Sequence, residues 1–297
     1  MNGIHDAQRL KELQALPLER KVGFTIARIT EWYNHWKGKV HVSFSGGKDS
    51  TVLLYIVRKM FPDVRAMFVD TGLEYPEIRE FVKTWDNVDW VKPEMSFLQV
   101  IKKYGYPVIG KEVAHYVYYA RKGQGWASAA LGLKEHFITK KGNDMSIRRG
   151  GRYDFAKYGY LVDAPFKMSD NCCAVMKKKP ANKYAKENDS HAFLATMAEE
   201  SRLRTKTWIQ NGCNAFEAKH PISTPMAFWT EQDVLRYVKL MNIPLAKIYG
   251  NIIETCRGGA NSTLHNWRTE NGLHVLYVWR SMREIAEPLS ADVQYAS

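Results

Sequence analysis

The sequence predicts an α/β fold, a doubly wound parallel sheet with helices on both faces. Three observations carry that expectation. Strand-like and helix-like stretches alternate from Lys39 onward, and two polar, Gly-containing clusters stand where successive strands end. The chain has 297 residues, 45% of them hydrophobic, which is enough for a sizeable core.

The elements follow in order. Apolar residues at helical spacing run from roughly Ala7 to Lys37, so residues 1–38 read as an N-terminal helical segment. "KVHVSF" then alternates β-branched with polar residues and reads as a strand ending at Ser45, followed by a loop and a helix to about Met60. "VRAMFVDTG" is the next strand, stopping at Asp70-Thr71-Gly72. "PEIREFVKTW" opens a helix with Pro76 in its first turn, where a missing N–H costs nothing. The clusters Ser45–Thr51 and Asp70–Glu74 thus both fall at carboxyl ends of strands and are expected to share one crevice.

From about Gly105 to Tyr160 the periodicity weakens into a basic, Gly- and Tyr-rich stretch. It reads either as a flexible loop closing over an anion or as a solvated insertion. "HAFLATMAEESRLRTKTW" reads as strand then helix. Thr230, with Gln232 and Asp233 behind it, signals an N-cap, and the helix it opens ends near Asn242-Ile243-Pro244. The working division is residues 1–38, an α/β domain over 39–255 with a basic insertion near 105–160, and an atypical tail over 256–297.

Charge narrows the partner. A net charge of +12 concentrates nucleotides, phosphates or nucleic acid near the surface. No apolar run is long enough for a membrane helix, and "MNGIHDAQRLKELQALPLER" lacks the apolar stretch of a secretory signal, so no membrane partner and a cytoplasmic location are expected. Of four cysteines, Cys172 and Cys173 are adjacent, which suits a metal or redox site better than an ordinary disulfide; the alternative is a pair of small buried hydrophobes.

"SGGKDS", Ser45 to Ser50, has the makings of a phosphate cradle. Gly46 and Gly47 let backbone N–H groups approach oxygens, the next helix turns its positive end to the anion, and Ser45, Ser50 and Lys48 add donors. It is not the Walker pattern, whose G-x-x-x-x-G-K-[ST] spacing is absent.

These six residues resemble the adenine-nucleotide pyrophosphatase loop, and here the chain resembles the phosphoadenosine phosphosulfate reductase family. "VDTGLEYPEI", "CCAVMKKKP", "AEESRLR" and "PMAFWTEQDVLRYVKLMNIPLAKIY" match that family's later blocks in order, so the resemblance covers roughly Lys39 to Gly250. It implies an adenine nucleotide α-hydrolase-like sheet of five or more strands, with the phosphates at Ser45, Gly46, Gly47, Lys48, Asp49 and Ser50. It also implies Asp70 and Thr71 beside the ribose or adenine, and Glu200, Ser201 and Arg204 at the substrate's phosphate or sulfate end. Lys48, Asp49 and Arg204 are the implied catalytic residues. Trp229 and Asp233 also match family positions, or else pack and cap a helix.

Two departures shape the functional expectation. Met197 stands where the family's Gly-x-Arg-x-x-Glu-Ser-x-x-Arg block has its first arginine, and a thioether cannot pair with an oxyanion as guanidinium does. The loop also keeps the complete Lys48-Asp49-Ser50, which looks more like relatives that cleave ATP between its α and β phosphates, with Mg2+ bridging them and Asp49 as ligand or near neighbour. The expectation is therefore a sulfur-metabolism enzyme acting at an adenine nucleotide's anhydride, with ATP cleavage favoured over reduction of phosphoadenylylsulfate or adenylylsulfate. A nucleic-acid acceptor fits the charge and "AHYVYYARKGQGW", whose Tyr116, Tyr118 and Tyr119 either stack bases or join the core. A binding protein without catalysis and an inactive remnant are the other readings. The oligomeric state is left open.

The cysteine pair resembles half of a four-iron cluster site whose other two thiolates come from a later C-x-x-C. No such pair follows here, and Cys256 stands alone in a tail unlike the family's. A one-base shift of permitted codons for His265 to Met282 reads T-T-G-E-Q-R-T-G-C-M-F-C-M-C-G-A-R, which resembles the missing segment. The tail from about Cys256 is accordingly expected to be out of frame, and Cys172 and Cys173 to be partial ligands.

Overall fold

A computed structural model of the chain describes residues 5–250. Expectations that fall on Cys256 and the tail lie outside the described residues. The described residues divide into two compact units: one made of 5–68, Leu73–Trp90 and 188–250, the other of Val69–Gly72 and Val91–Glu187.

In the first unit the N-terminal helical segment is two helices, α1 (Ala7–Ala15) and α2 (Leu18–His35), where the periodicity suggests one. Pro17 separates them, lacking the N–H that a continuous helix needs. Next come β1 (Val40–Ser43), α3 (Lys48–Met60), β2 (Arg65–Val69), α4 (Pro76–Lys83) and β3 (Val88–Val91). The strand ends at Ser43, two residues before the Ser45 read from the pattern. α3 carries Asp49 in its first turn and Arg58 and Lys59 in its last, charges matched to its dipole.

The second unit contains α5 (Phe97–Tyr104), α6 (Lys111–Arg121), α7 (Gly125–Ala130), an antiparallel hairpin of β4 (His136–Ile138) and β5 (Asp144–Ser146), and α8 (Lys179–Glu187), which continues a π-helical turn at Ala174–Lys178. The stretch 105–160 is thus helical over α6 and α7, while the β4–β5 hairpin is largely exposed. Val113, Val117, Ala127, Leu131, Leu161 and Met168 form a small core of their own. The guanidinium of Arg121 donates to the carbonyls of Leu161, Val162, Ala164 and Phe166, tying that segment to α6. Wide spacing of apolar residues among Gly, Lys and Tyr hid this core from periodicity.

The chain then returns to the first unit through β6 (His191–Phe193), α9 (Arg202–Asn211), β7 (Asn214–Ala215), β8 (Ile222–Ser223) and α10 (Glu231–Met241). The sheet order is β3-β2-β1-β6-β8-β7. β1 runs parallel to β2 on one side and to β6 on the other, pairing Val42 with Ala66 and with Phe193. β6 and β8 are parallel, and β7 alone is recorded antiparallel, at the edge. This mostly parallel α/β sheet matches the predicted class. Its order reverses at β1, so the loop after β1 leaves the sheet at a topological switch point, where such folds place ligands.

The main core joins Trp32, Val42, Phe44, Leu53, Phe193 and Trp229. Within it a buried ion pair links α2 to α10: Lys21 Nζ lies 2.5 Å from Asp233 Oδ2. Among the described residues no helix is long and apolar enough to cross a membrane.

Candidate functional site

The loop between β1 and α3 is shaped by its own hydroxyls. Ser45 Oγ and Ser50 Oγ are 2.9 Å apart, Ser50 Oγ also donates to the Gly47 carbonyl at 2.9 Å, and Thr51 Oγ1 donates to the same carbonyl at 3.0 Å. Gly46 has φ +71°, and a Cβ there would lie 2.7 Å from Ile78 Cγ2 and 2.8 Å from Val82 Cγ2, both on α4. Only glycine suits that position, on conformational and on steric grounds. From the other side the Tyr249 hydroxyl accepts the Lys48 backbone N–H at 3.3 Å.

Lys48 is 4% exposed and its ammonium is flanked by two carboxylates: Asp49 Oδ1 at 2.9 Å and Glu231 Oε1 at 3.3 Å. Burial by itself would lower its pKa, but Asp49, with Glu231 and Tyr249, outweighs burial and holds the group above the ordinary lysine range. Lys48 is therefore a fixed cation at the mouth of the helix. Glu231 is placed by the capping box of α10, where Thr230 Oγ1 and Asp233 exchange hydrogen bonds at the helix start. The Glu231 backbone N–H also donates to Glu199, whose carboxyl is pushed up by burial and by the charges of Glu231 and Asp233.

Arg204, on the first turn of α9, is ion-paired with Glu200 four residues earlier. Burial lowers its pKa and the charge of Asp49 opposes that, so the guanidinium feels the loop electrostatically. Glu200 Oε1 accepts the Met197 N–H at 2.8 Å, and Ser201 Oγ caps α9 by accepting from Arg204 N at 3.3 Å. Local capping thus occupies Glu200 and Ser201. Met197 is buried in the main core, where its side chain packs among apolar neighbours. Trp229 and Asp233 are scaffold: Trp229 Nε1 donates to Thr25 Oγ1 at 2.8 Å, and Asp233 pairs with Lys21 and caps α10.

Asp70 and Thr71 belong to the second unit. They are buried directly after β2, where the Asp70 N–H donates to the Val91 carbonyl and its carboxylate accepts the Gly72 N–H. Cys172 and Cys173 lie in that unit too, just before the π-helical turn. Lys111 Nζ donates to Cys173 Sγ at 2.7 Å. A hydrogen bond from Cys172, together with Lys111 and Lys177, lowers Cys173 to about 5, whereas the same bond and burial push Cys172 up. Cys213 sits against the main core of the first unit, and burial raises it to about 11. Among the described residues no three His, Cys, Asp or Glu side chains converge to hold a metal, so these residues do not by themselves make a four-iron site.

Sequence reasoning missed Glu231, Tyr249 and Glu199. Glu231 was visible only as a residue inside an N-cap signal, and Tyr249 approaches the loop from 201 residues away, a separation no local pattern reports.

Comparison with known proteins gives a family and several partial likenesses. The model of the phosphoadenosine phosphosulfate reductase domain matches residues 39–107 and 144–264. Sulfate adenylyltransferase subunit 2 of Vibrio cholerae is 24% identical over 246 residues, spanning 82% of this chain and 69% of that protein. An uncharacterized protein of Methanocaldococcus jannaschii is 32% identical over 111 residues, 35% of this chain and 26% of that protein. A nin region protein of Escherichia phage lambda is 34% identical over 104 residues, 23% of this chain and 36% of that protein. The matches to these last two span well under two thirds of their length. A phosphoadenylyl-sulfate reductase from Candida auris, solved with phosphate, superposes at TM-score 0.41 and 14% identity, covering 82% of this chain and 91% of that one.

Proposed function

The chain belongs to the phosphoadenosine phosphosulfate reductase domain family, and from that premise we propose that it is a sulfur-metabolism enzyme binding an adenine nucleotide at Ser45–Ser50 and cleaving ATP between its α and β phosphates. The observation that carries this reading is the pair of carboxylates around Lys48. Asp49 and Glu231 stay partly exposed while the ammonium between them is buried. A site for a sulfonucleotide alone has no use for two carboxylates at the phosphates, since like charges repel. A site for ATP with Mg2+ does, because Mg2+ binds through one or two carboxylates plus phosphate oxygens.

Asp49 and Glu231 would hold Mg2+, and the bound ion would neutralise charge on the phosphates during cleavage. Lys48, held above the ordinary lysine range, would pair with the phosphates. The Gly46-Gly47 backbone and the start of α3 supply N–H donors and a positive helix end. Arg204, cationic and within the field of Asp49, stabilises charge on the departing pyrophosphate.

Product analysis tests the reading: incubation with ATP, Mg2+ and an acceptor pool yields pyrophosphate together with an adenylylated acceptor, or with free AMP where a sulfur nucleophile or water then displaces it. ADP and orthophosphate as the products would overturn it. The alternative suggested by the family's name, reduction of a sulfonucleotide, would instead release sulfite.

A further inference from the structure

The chain's positive charge is concentrated in one unit. Residues 69–72 and 91–187 contain nineteen Lys and Arg against nine Asp and Glu, so they hold +10 of the net +12. Within that unit the β4–β5 hairpin turns through Lys140-Lys141, and the irregular segment after β5 carries Arg148, Arg149 and Arg152. All five are exposed. Arg149 is ion-paired with Asp154, but Lys140, Lys141 and Arg148 have no carboxylate partner among the described residues.

The same segment exposes aromatic rings. Tyr153 is 51% and Tyr160 67% accessible, and the Arg152 guanidinium lies 5.6 Å from the Tyr153 ring centre. The tyrosines singled out from the sequence behave differently. Tyr116 packs against Trp126 and Phe155, and Tyr119 against Trp126, at the edge of the second unit's core. A solvated charged face needs lysines but not bare tyrosines. Unpaired cations alternating with exposed rings are what a flexible polyanion with stackable bases requires: cations for phosphates, rings for base faces.

We propose that the hairpin turn and the segment after it, from Lys140 to Tyr160, form a binding surface for single-stranded nucleic acid. The surface does not depend on the cleavage of ATP.

The test is fluorescence anisotropy of the full chain with labelled single-stranded RNA and DNA 20-mers, a duplex of equal length, and inorganic polyphosphate, across a salt series. The triple variant Lys140→Glu, Lys141→Glu, Arg148→Glu should weaken binding of the single strands at least about tenfold and flatten the salt slope by about 2. The same reversal at Lys11, Arg20 and Lys239, exposed in the first unit, should change it less than about twofold. Tyr153→Ala with Tyr160→Ala should weaken oligonucleotide but not polyphosphate. Circular dichroism and ATP titration of each variant separate lost binding from lost folding. Equal losses in both charge triples, tighter binding of duplex or polyphosphate than of single strands, or tyrosine variants that bind like wild type would each overturn the proposal. Preference between RNA and DNA identifies which single strand is the ligand.

Discussion

Glu231, on the first turn of α10, places its carboxylate 3.3 Å from the ammonium of Lys48, on the first turn of α3. The two residues are 183 positions apart, and each is set by the start of its own helix. On the proposed reading, Glu231 would compete with ATP phosphate for Lys48 when Mg2+ is absent and would help hold the ion when it is present. Glu231→Gln should therefore tighten binding of metal-free ATP about threefold and remove most of the gain that Mg2+ gives. Titrations with and without chelator measure both. An unchanged response to Mg2+ would place Glu231 outside the phosphate site.

The Lys21–Asp233 pair holds the end of α10 that carries Glu231. Both side chains are buried, and Asp233 also accepts from Thr230. Removing one partner leaves an uncompensated buried charge, which costs about 3–5 kcal/mol. Lys21→Met should lower the unfolding free energy by that much, read as a fall in the denaturant midpoint. Lys21→Met with Asp233→Asn should recover part of the loss, measured in the same unfolding experiment. A single variant as stable as wild type would mean the pair is neutralised by proton transfer or water.

His41 gives stability a pH dependence. It is buried on β1 beside Ser190, and burial, then His191, lower its pKa from 6.5 to about 4. Because the folded value lies below the unfolded one, the unfolded chain takes up the proton first as pH falls. Stability is then intact above about pH 6.5, falls between there and pH 4, and is level below. The loss is at most roughly 3 kcal/mol at 1.36 kcal/mol per unit. Urea midpoints at pH 7.5 and 5 should differ clearly in wild type and less in His41→Asn, whatever the variant's absolute stability. Equal slopes in the two proteins would assign the acid sensitivity elsewhere.

Much of this was legible in the residues themselves. Strand period in "KVHVSF", the glycines of the loop, Pro76 and the Thr230 cap each act within a few positions, and each appears where the sequence puts it. Helical spacing bridged Pro17 because periodicity counts apolar faces and not missing donors. The second unit escaped because its order comes from Arg121 reaching carbonyls 40 or more residues away. Glu231 and Tyr249 escaped for the same reason: their roles at Lys48 exist only after the sheet has brought three distant segments together. Met197 shows the converse. Its identity alone argued against an anion contact, and its burial in the core agrees.

The most direct test of the central claim is calorimetric titration of the full chain with ATP plus Mg2+ and, separately, with phosphoadenosine phosphosulfate, each repeated on Lys48→Ala. The account predicts tighter binding of ATP with Mg2+ and a loss of at least about tenfold on the substitution. Tighter binding of the sulfonucleotide, or an ATP affinity indifferent to Lys48, would contradict it.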